Sequence, residues 1–385
     1  MTTQDGGATP GDTGPPEMPE MHRTSRDPEA LRQRLESWLS ARVGSDATVS
    51  DIGATTATGM SSETVLLTAA WTEDDTKHDE RLVARLAPDA ADVPVFPSYE
   101  METQFNIIKL VGELTSVPVP RVRWLETTPD AIGTPFFVMD RVDGEVPPDV
   151  MPYNFGGDNW FYTASAEDQR RLQDNTVSVL AELHTLDATD ERFAFLQYDV
   201  PGDTALRRHV ANRRAWYDYV AASGGRSPLV EQAFDWLDEH WPSDEGDPVI
   251  SWGDSRIGNA MYRDFGPVAI LDWEMVGIGP RELDVSWLLY GHRVFEDIAN
   301  GYGLPGMPDF LRPEDVATTY EKLTGYAPRD LQFYMAYAAV AYAIVFLRTG
   351  ARSIHFGERE APDDIDELIM NRAPLERMLA GTYWD

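Results

Sequence analysis

The back half of this chain reads as helical except for one short β island, and that island ends twice on an acid. Its first strand, Pro248 to Trp252, leads into Gly253-Asp254; a hairpin over Ala260 to Arg263 and Pro267 to Leu271 then closes on Asp272. A carboxylate just past an apolar strand is held by a rigid element yet open to a cleft. There it can serve as a base or a metal ligand without being buried unpaired. A single acid after a strand is an ordinary turn residue. Here Asn259 follows Asp254 by five positions and Asp272 follows Asn259 by thirteen, an ordered set of oxygen-bearing side chains rather than one stray carboxylate.

Upstream, the pattern changes character. Asp27-Pro28-Glu29 is a helix start, with Asp as cap, Pro in the first turn and Glu favoured by the helix dipole. Leu31, Leu35, Trp38 and Leu39 follow at helical spacing. Thr64 to Trp71 and Arg81 to Leu86 are apolar or β-branched runs around a polar turn, which predicts a hairpin. A helix over Glu100 to Leu114 is stopped by Val117-Pro118-Val119-Pro120, and strands resume at Arg121 to Leu125 and Pro135 to Val142. Asp143-Gly144 marks a turn. Beyond it, Ser165 with Asp168 forms a capping box, and helices are expected to Leu186, over Thr204 to Ala222 and over Pro228 to Trp241. The expected organisation is α+β: residues 1–25 a disordered acidic tail, 26–142 a sheet-rich nucleotide-binding lobe, and 143–385 a mainly helical catalytic and substrate lobe.

The spacing Asp-x-x-x-x-Asn, with a metal-binding Asp on a later strand, is that of the kinase catalytic loop. Trp252-Gly253-Asp254 through Asn259, with Leu271-Asp272-Trp273-Glu274, resembles the His-Gly-Asp and Asp-Trp-Glu motifs of the aminoglycoside phosphotransferase-like family. The resemblance implies a protein-kinase-like two-lobed fold and an ATP- and Mg²⁺-dependent transfer of phosphate to a small-molecule hydroxyl. Asp254 would orient and deprotonate the acceptor, while Asn259 and Asp272 would hold Mg²⁺ through oxygen. One departure is Trp252, which stands where the family has histidine.

Other segments resemble the family in the same order along the chain. Gly59 to Thr64 is similar to its phosphate-capping loop, implying roles for Ser61 and Ser62. Arg85 falls at the phosphate-binding lysine, and its guanidinium fork reaches phosphate differently from an ammonium. Its partner on the next helix would be Glu102, with Gln104 as the alternative; two residues apart, they cannot share a face. Pro135 to Gly144 is similar to the hinge, which would offer adenine its backbone near Met139 and Arg141. Asp284, within Gly277 to Leu289, either braces the catalytic loop or is an exposed helix acid.

Composition closes several alternatives. With 65 acidic against 32 basic side chains the net charge is -33, and no basic cluster offers nucleic acid a face on which to shed its counterions. Lys77, Lys109 and Lys322 are the only lysines, a surface suited to high salt. No cysteine is present, so disulfides, thiolate metal sites and thiol nucleophiles are absent, which fits a cytoplasmic protein. Leu331 to Leu347 is short for a bilayer span and is expected to be a buried helix, leaving no membrane partner.

Gly253-Asp254-Ser255 also fits the Gly-Asp-Ser hydrolases, but the one Asp-x-x-His, Asp75 to His78, lies far upstream, leaving Ser255 without a base. Paired histidines for a metal hydrolase are missing, and His184 on an apolar helix face reads as a core residue. A catalytically silent nucleotide-binding module remains the other reading. Three acceptor classes stay open: aminocyclitols, macrolide-like or acyl-type hydroxyls, and choline-like amines. Tyr153, Phe155, Trp160, Phe161 and Tyr162 would form either an aromatic acceptor wall, which disfavours a polycation, or plain packing.

Overall fold

The computed structural model describes residues 26–54, 62–149 and 152–384; the expected N-terminal tail and Ser61 lie outside them. Helix α1 (Pro28–Val43) starts as its sequence predicts, with the Asp27 carboxylate accepting from the Glu29 amide at 3.1 Å and Pro28 in the first turn. It lays Leu31, Leu35 and Leu39 on an antiparallel sheet of β1 (Thr48–Ala54), β2 (Glu63–Glu73), β3 (Thr76–Leu86), β4 (Val122–Glu126) and β5 (Phe136–Asp140). The strand order is β1-β2-β3-β5-β4.

Alternation along the strands decides what faces the rest of the molecule. Leu82, Ala84 and Leu86 of β3 and Phe136 and Val138 of β5 pack under α1, while Val83, Phe137 and Met139 point the other way into the main core. Arg85 pairs with Phe137 in the ladder and shares the side of Val83. Helix α2 (Met101–Leu114) packs against β4 and β5.

Two features of this sheet were not expected. β1, with the sequence Thr-Val-Ser-Asp-Ile-Gly-Ala, lacks an apolar alternation and is held by its ladder with β2. β3 starts at Thr76, ahead of its apolar run, because residues 76–80 continue the pairing with β2 through a turn at Asp74 and Asp75, both at positive φ.

The second lobe contains α3 (Ala166–Leu183), α4 (Ala205–Gly224), α5 (Pro228–Glu239), α6 (Arg281–Gly301), α7 (Pro313–Thr324), α8 (Leu331–His355) and α9 (Arg372–Leu379). Its β island pairs β6 (Pro248–Ser251) with β9 (Gly277–Pro280), and β7 (Ala260–Arg263) with β8 (Gly266–Ile270). β9 has almost no strand propensity. It exists because β6 pairs with it, and because a side chain at Gly279 would stand 2.4 Å from Leu283 and 2.7 Å from His209. Helix α8 is long and apolar enough to cross a membrane, yet 72% of its most apolar window is buried in the protein, as expected for a core helix.

The chain passes between the lobes over the β7–β8 hairpin, where Glu145 and Tyr262 exchange backbone hydrogen bonds of 2.9 and 2.8 Å. Gly144 serves this close crossing, since a Cβ there would meet Val268 at 2.9 Å and the Tyr262 carbonyl at 3.0 Å. The aromatic residues after it are mostly core. Tyr153 and Phe161 are fully buried, Tyr153 bonding His292 at 2.7 Å and Phe161 packing edge-on against Phe310. Packing, not an acceptor wall, accounts for these two rings.

Candidate active site

β6 delivers the chain to Trp252, Gly253 and Asp254 through a turn only glycine can make. Gly253 has φ 89°, and a Cβ would lie 2.0 Å from the Met275 carbonyl. One fully buried carboxylate fixes this turn. Asp284, in the first turn of α6, accepts from the Trp252 amide at 2.8 Å, and from the Gly253 amide and the Ser251 hydroxyl at 2.9 Å each. His184 Nε2 lies 3.0 Å from it and His184 Nδ1 lies 2.7 Å from the Tyr320 hydroxyl. Asp284 therefore braces the loop, and His184 is a satisfied core residue. Trp252, in the place of the family's histidine, is fully buried and donates to the Leu271 carbonyl at 2.9 Å, tying the loop to the segment after β8 that carries Asp272.

The Asp254 side chain is held from two sides. Trp287 Nε1 donates to Oδ1 at 2.6 Å, and Arg256 Nε lies 3.2 Å from the same oxygen. The far end of the Arg256 guanidinium is paired with Asp149. Gly258 makes room for that pair, since a Cβ there would stand 2.3 Å from Asp149 Oδ2. Asn259 Nδ2 donates to the Asp254 carbonyl at 3.0 Å.

Beside this loop, between the lobes, is a cavity of about 270 Å³. Leu66, Val83, Met139, Met261 and Ile270 form its apolar end, and Arg85, Arg256, Asn259 and Asp272 its polar end. Asp272 has φ 59°, strained for a non-glycine residue. Burial pushes its carboxyl above the ordinary value, and Arg85 Nη2, 2.7 Å away, pulls against that. Arg85 also donates to Thr64 at 3.1 Å and lies 3.5 Å from Glu274, the third residue of the Asp-Trp-Glu run.

The expected nucleotide-side residues are only partly assembled. Arg85 and Met139 line the cavity. Arg141 lines it too, but its amide already donates to the Arg81 carbonyl at 3.0 Å, so the nearest unpartnered hinge amide among the described residues is that of Val142. Glu102 is exposed; Gln104, two residues on and buried, faces the cavity in its place. Ser62 is turned toward Glu274 at 3.5 Å and does not line the cavity. Trp287, Arg256 and Asp149 were missed from the sequence. The one available signal was the placement of Trp287 three residues after Asp284 on the same helix face.

A five-stranded sheet over a helical lobe, with a cleft carrying strand-end acids, defines a protein-kinase-like fold. The chain belongs to the phosphotransferase enzyme family called APH, whose model matches residues 57–313. A solved structure from Ralstonia eutropha, described as a candidate aminoglycoside phosphotransferase, superposes with a TM-score of 0.63 at 21% identity, over 91% of this chain and 97% of that one. Aminoglycoside phosphotransferase APH(4)-Ia, as a mutant bound to ADP and hygromycin B, superposes with a TM-score of 0.50 at 16% identity, over 90% and 98% of the two chains. An Arabidopsis thaliana protein described as a probable acyl-CoA dehydrogenase is 25% identical over 283 residues, 68% of this chain and 33% of that protein. The chain thus spans about a third of that curated relative's length.

Proposed function

We propose that this protein transfers the γ-phosphoryl group of ATP, with Mg²⁺, to a hydroxyl of a small molecule, with Asp254 as the base. The observation that carries this reading is the shared placement of Asn259 and Asp272 on one cavity, with Asn259 bonded at 3.0 Å to the Asp254 backbone. The apolar end suits a purine held between Val83 and Leu66 above and Met261 and Ile270 below, with the Val142 amide as donor.

The polar end fits a hard cation. The Asn259 amide nitrogen is engaged with the loop, which leaves its oxygen for the cavity, and the Asp272 carboxylate lines the same wall. These are two oxygen donors, the protein's usual share for Mg²⁺, with phosphates and water supplying the rest. Bound there, the metal would neutralise charge on the phosphates. Asp254 accepts the acceptor's hydroxyl proton as the new oxygen–phosphorus bond forms, and ADP leaves with the electrons of the broken bond.

An acyl-type hydroxyl is the acceptor class best supported. Trp287, bonded to Asp254, packs 5.1 Å from Tyr342, which lies 6.1 Å from Phe346, giving the base one aromatic flank. The acyl-CoA dehydrogenase description of the longer relatives points the same way. The second reading, a silent nucleotide-binding module, draws on Gln104 standing in the cavity where an acid was expected. ADP release measured over a panel of hydroxy acids, their acyl thioesters and aminoglycosides separates these readings. Release with a hydroxyacyl compound that disappears in Asp254→Ala, while nucleotide still binds, supports the enzyme. Nucleotide binding with no turnover across the panel refutes it.

A further inference from the structure

Helix α6 presents Asp284 and Trp287 three residues apart on one face. The first fixes the backbone of the catalytic loop. The second reaches its reactive side chain, with indole Nε1 2.6 Å from Asp254 Oδ1. Arg256 Nε donates to Oδ2 at 3.4 Å while lying 3.2 Å from Oδ1. Oδ1 therefore carries the one short hydrogen bond, from the indole, and Oδ2 only a long one.

We infer that Trp287 is a positioning residue for phosphoryl transfer, its indole N–H occupying Oδ1 so that Oδ2 faces the acceptor hydroxyl. This rests on the reading of Asp254 as the base. The ring is held firmly in place, being 4% exposed and packed against Tyr342, so it cannot swing away from the carboxylate. Arg256, the cation beside the carboxylate, is paired at its far end with Asp149, so the short contact that fixes Oδ1 is the indole's.

The test uses the whole chain with Mg·ATP and water as the acceptor, following ADP release. Trp287→Phe keeps an aromatic ring against Tyr342 and removes the N–H. The expected result is a kcat lower by about tenfold, the weight of one hydrogen bond, with KM for ATP changed by less than about twofold because Trp287 does not line the nucleotide cavity. In a ¹H–¹⁵N spectrum, the indole resonance missing from Trp287→Phe shifts in Asp254→Asn. An unchanged kcat in folded Trp287→Phe, or an indole resonance indifferent to Asp254→Asn, overturns the inference. If Trp287→Phe does not fold, the resonance shift in Asp254→Asn decides alone. Should ADP release be absent, or survive Asp254→Asn, the base assignment itself falls and takes the inference with it.

Discussion

Arg85 and Asp272 meet at 2.7 Å across the boundary between the lobes, joining β3 to the loop after β8. Both side chains are 11% exposed, so the guanidinium is the cation that neutralises this carboxylate in the nucleotide-free protein. A metal bound through Asp272 has to share the carboxylate with that guanidinium. Arg85→Met is expected to raise nucleotide-free Mn²⁺ affinity by about tenfold, read by electron paramagnetic resonance, while weakening ATP binding in calorimetry. Unchanged metal affinity would show that Arg85 and the metal do not compete.

Asp284 is a stronger point of failure. Its carboxylate receives two amides, a hydroxyl and an imidazole, all out of water. Asparagine replaces one acceptor oxygen by a donor that faces other donors. Asp284→Asn should cost about 3–5 kcal/mol in urea unfolding, the scale for breaking a buried charged network. ADP release should fall with it, because the Gly253 turn loses its brace.

Gly258 tests the far side of Asp254. A methyl group there collides with the Asp149 carboxylate at 2.3 Å, and Arg256 then loses its partner. Gly258→Ala is expected to lower turnover more than about tenfold and ADP affinity by less, since Gly258 and Arg256 line the cavity at the end beside Asp254. Equal loss of binding and turnover would show instead that the nucleotide cavity has deformed.

The net charge of -33 carries its own expectation. Like charges spread over the surface repel, and salt screens them within about 10 Å at 0.1 M. The thermal midpoint should rise steadily from low salt to about 1 M KCl. A midpoint that falls over that range would remove the high-salt reading of the composition.

How much of this was legible depends on what each residue's signal records. The closeness of Asp254, Asn259 and Asp272 was readable because spacing along the chain carries over directly to a loop and a hairpin with fixed geometry. Asp284 was half readable: its position was clear, but whether it faced core or solvent depends on helix phase. The same ambiguity sent the acid expectation to Glu102, although the phase of α2 buries Gln104. β1 and β9 escaped because their pairing comes from neighbouring strands rather than from their own residues. For Tyr153 and Phe161 the choice between a substrate wall and plain packing stayed open, because an aromatic residue signals burial, not what it is buried against. Trp287 left almost no trace, being one more apolar residue on a buried helix until its indole nitrogen is seen beside a carboxylate.

Acid sensitivity follows from two buried histidines. Burial, aided by the charge of Arg213, lowers the pKa of His209 to about 3, and burial lowers that of His292 to about 3 as well. Unfolded, both titrate near the ordinary 6.5. Between those values the unfolded chain binds protons that the folded protein refuses, so stability rises with pH across this window and is lost as pH falls below about 6.5. Each histidine contributes about 1.4 kcal/mol per pH unit well inside the window. The carboxyls of Asp149 and Asp272, raised by burial, oppose this in part, because they take up protons more readily folded than unfolded. Urea midpoints should therefore drop between pH 7 and pH 5, and His292→Gln should flatten that slope by about one proton. An unaltered slope in His292→Gln would mean that His292 is already protonated in the folded protein, against its burial and its 2.7 Å contact with Tyr153.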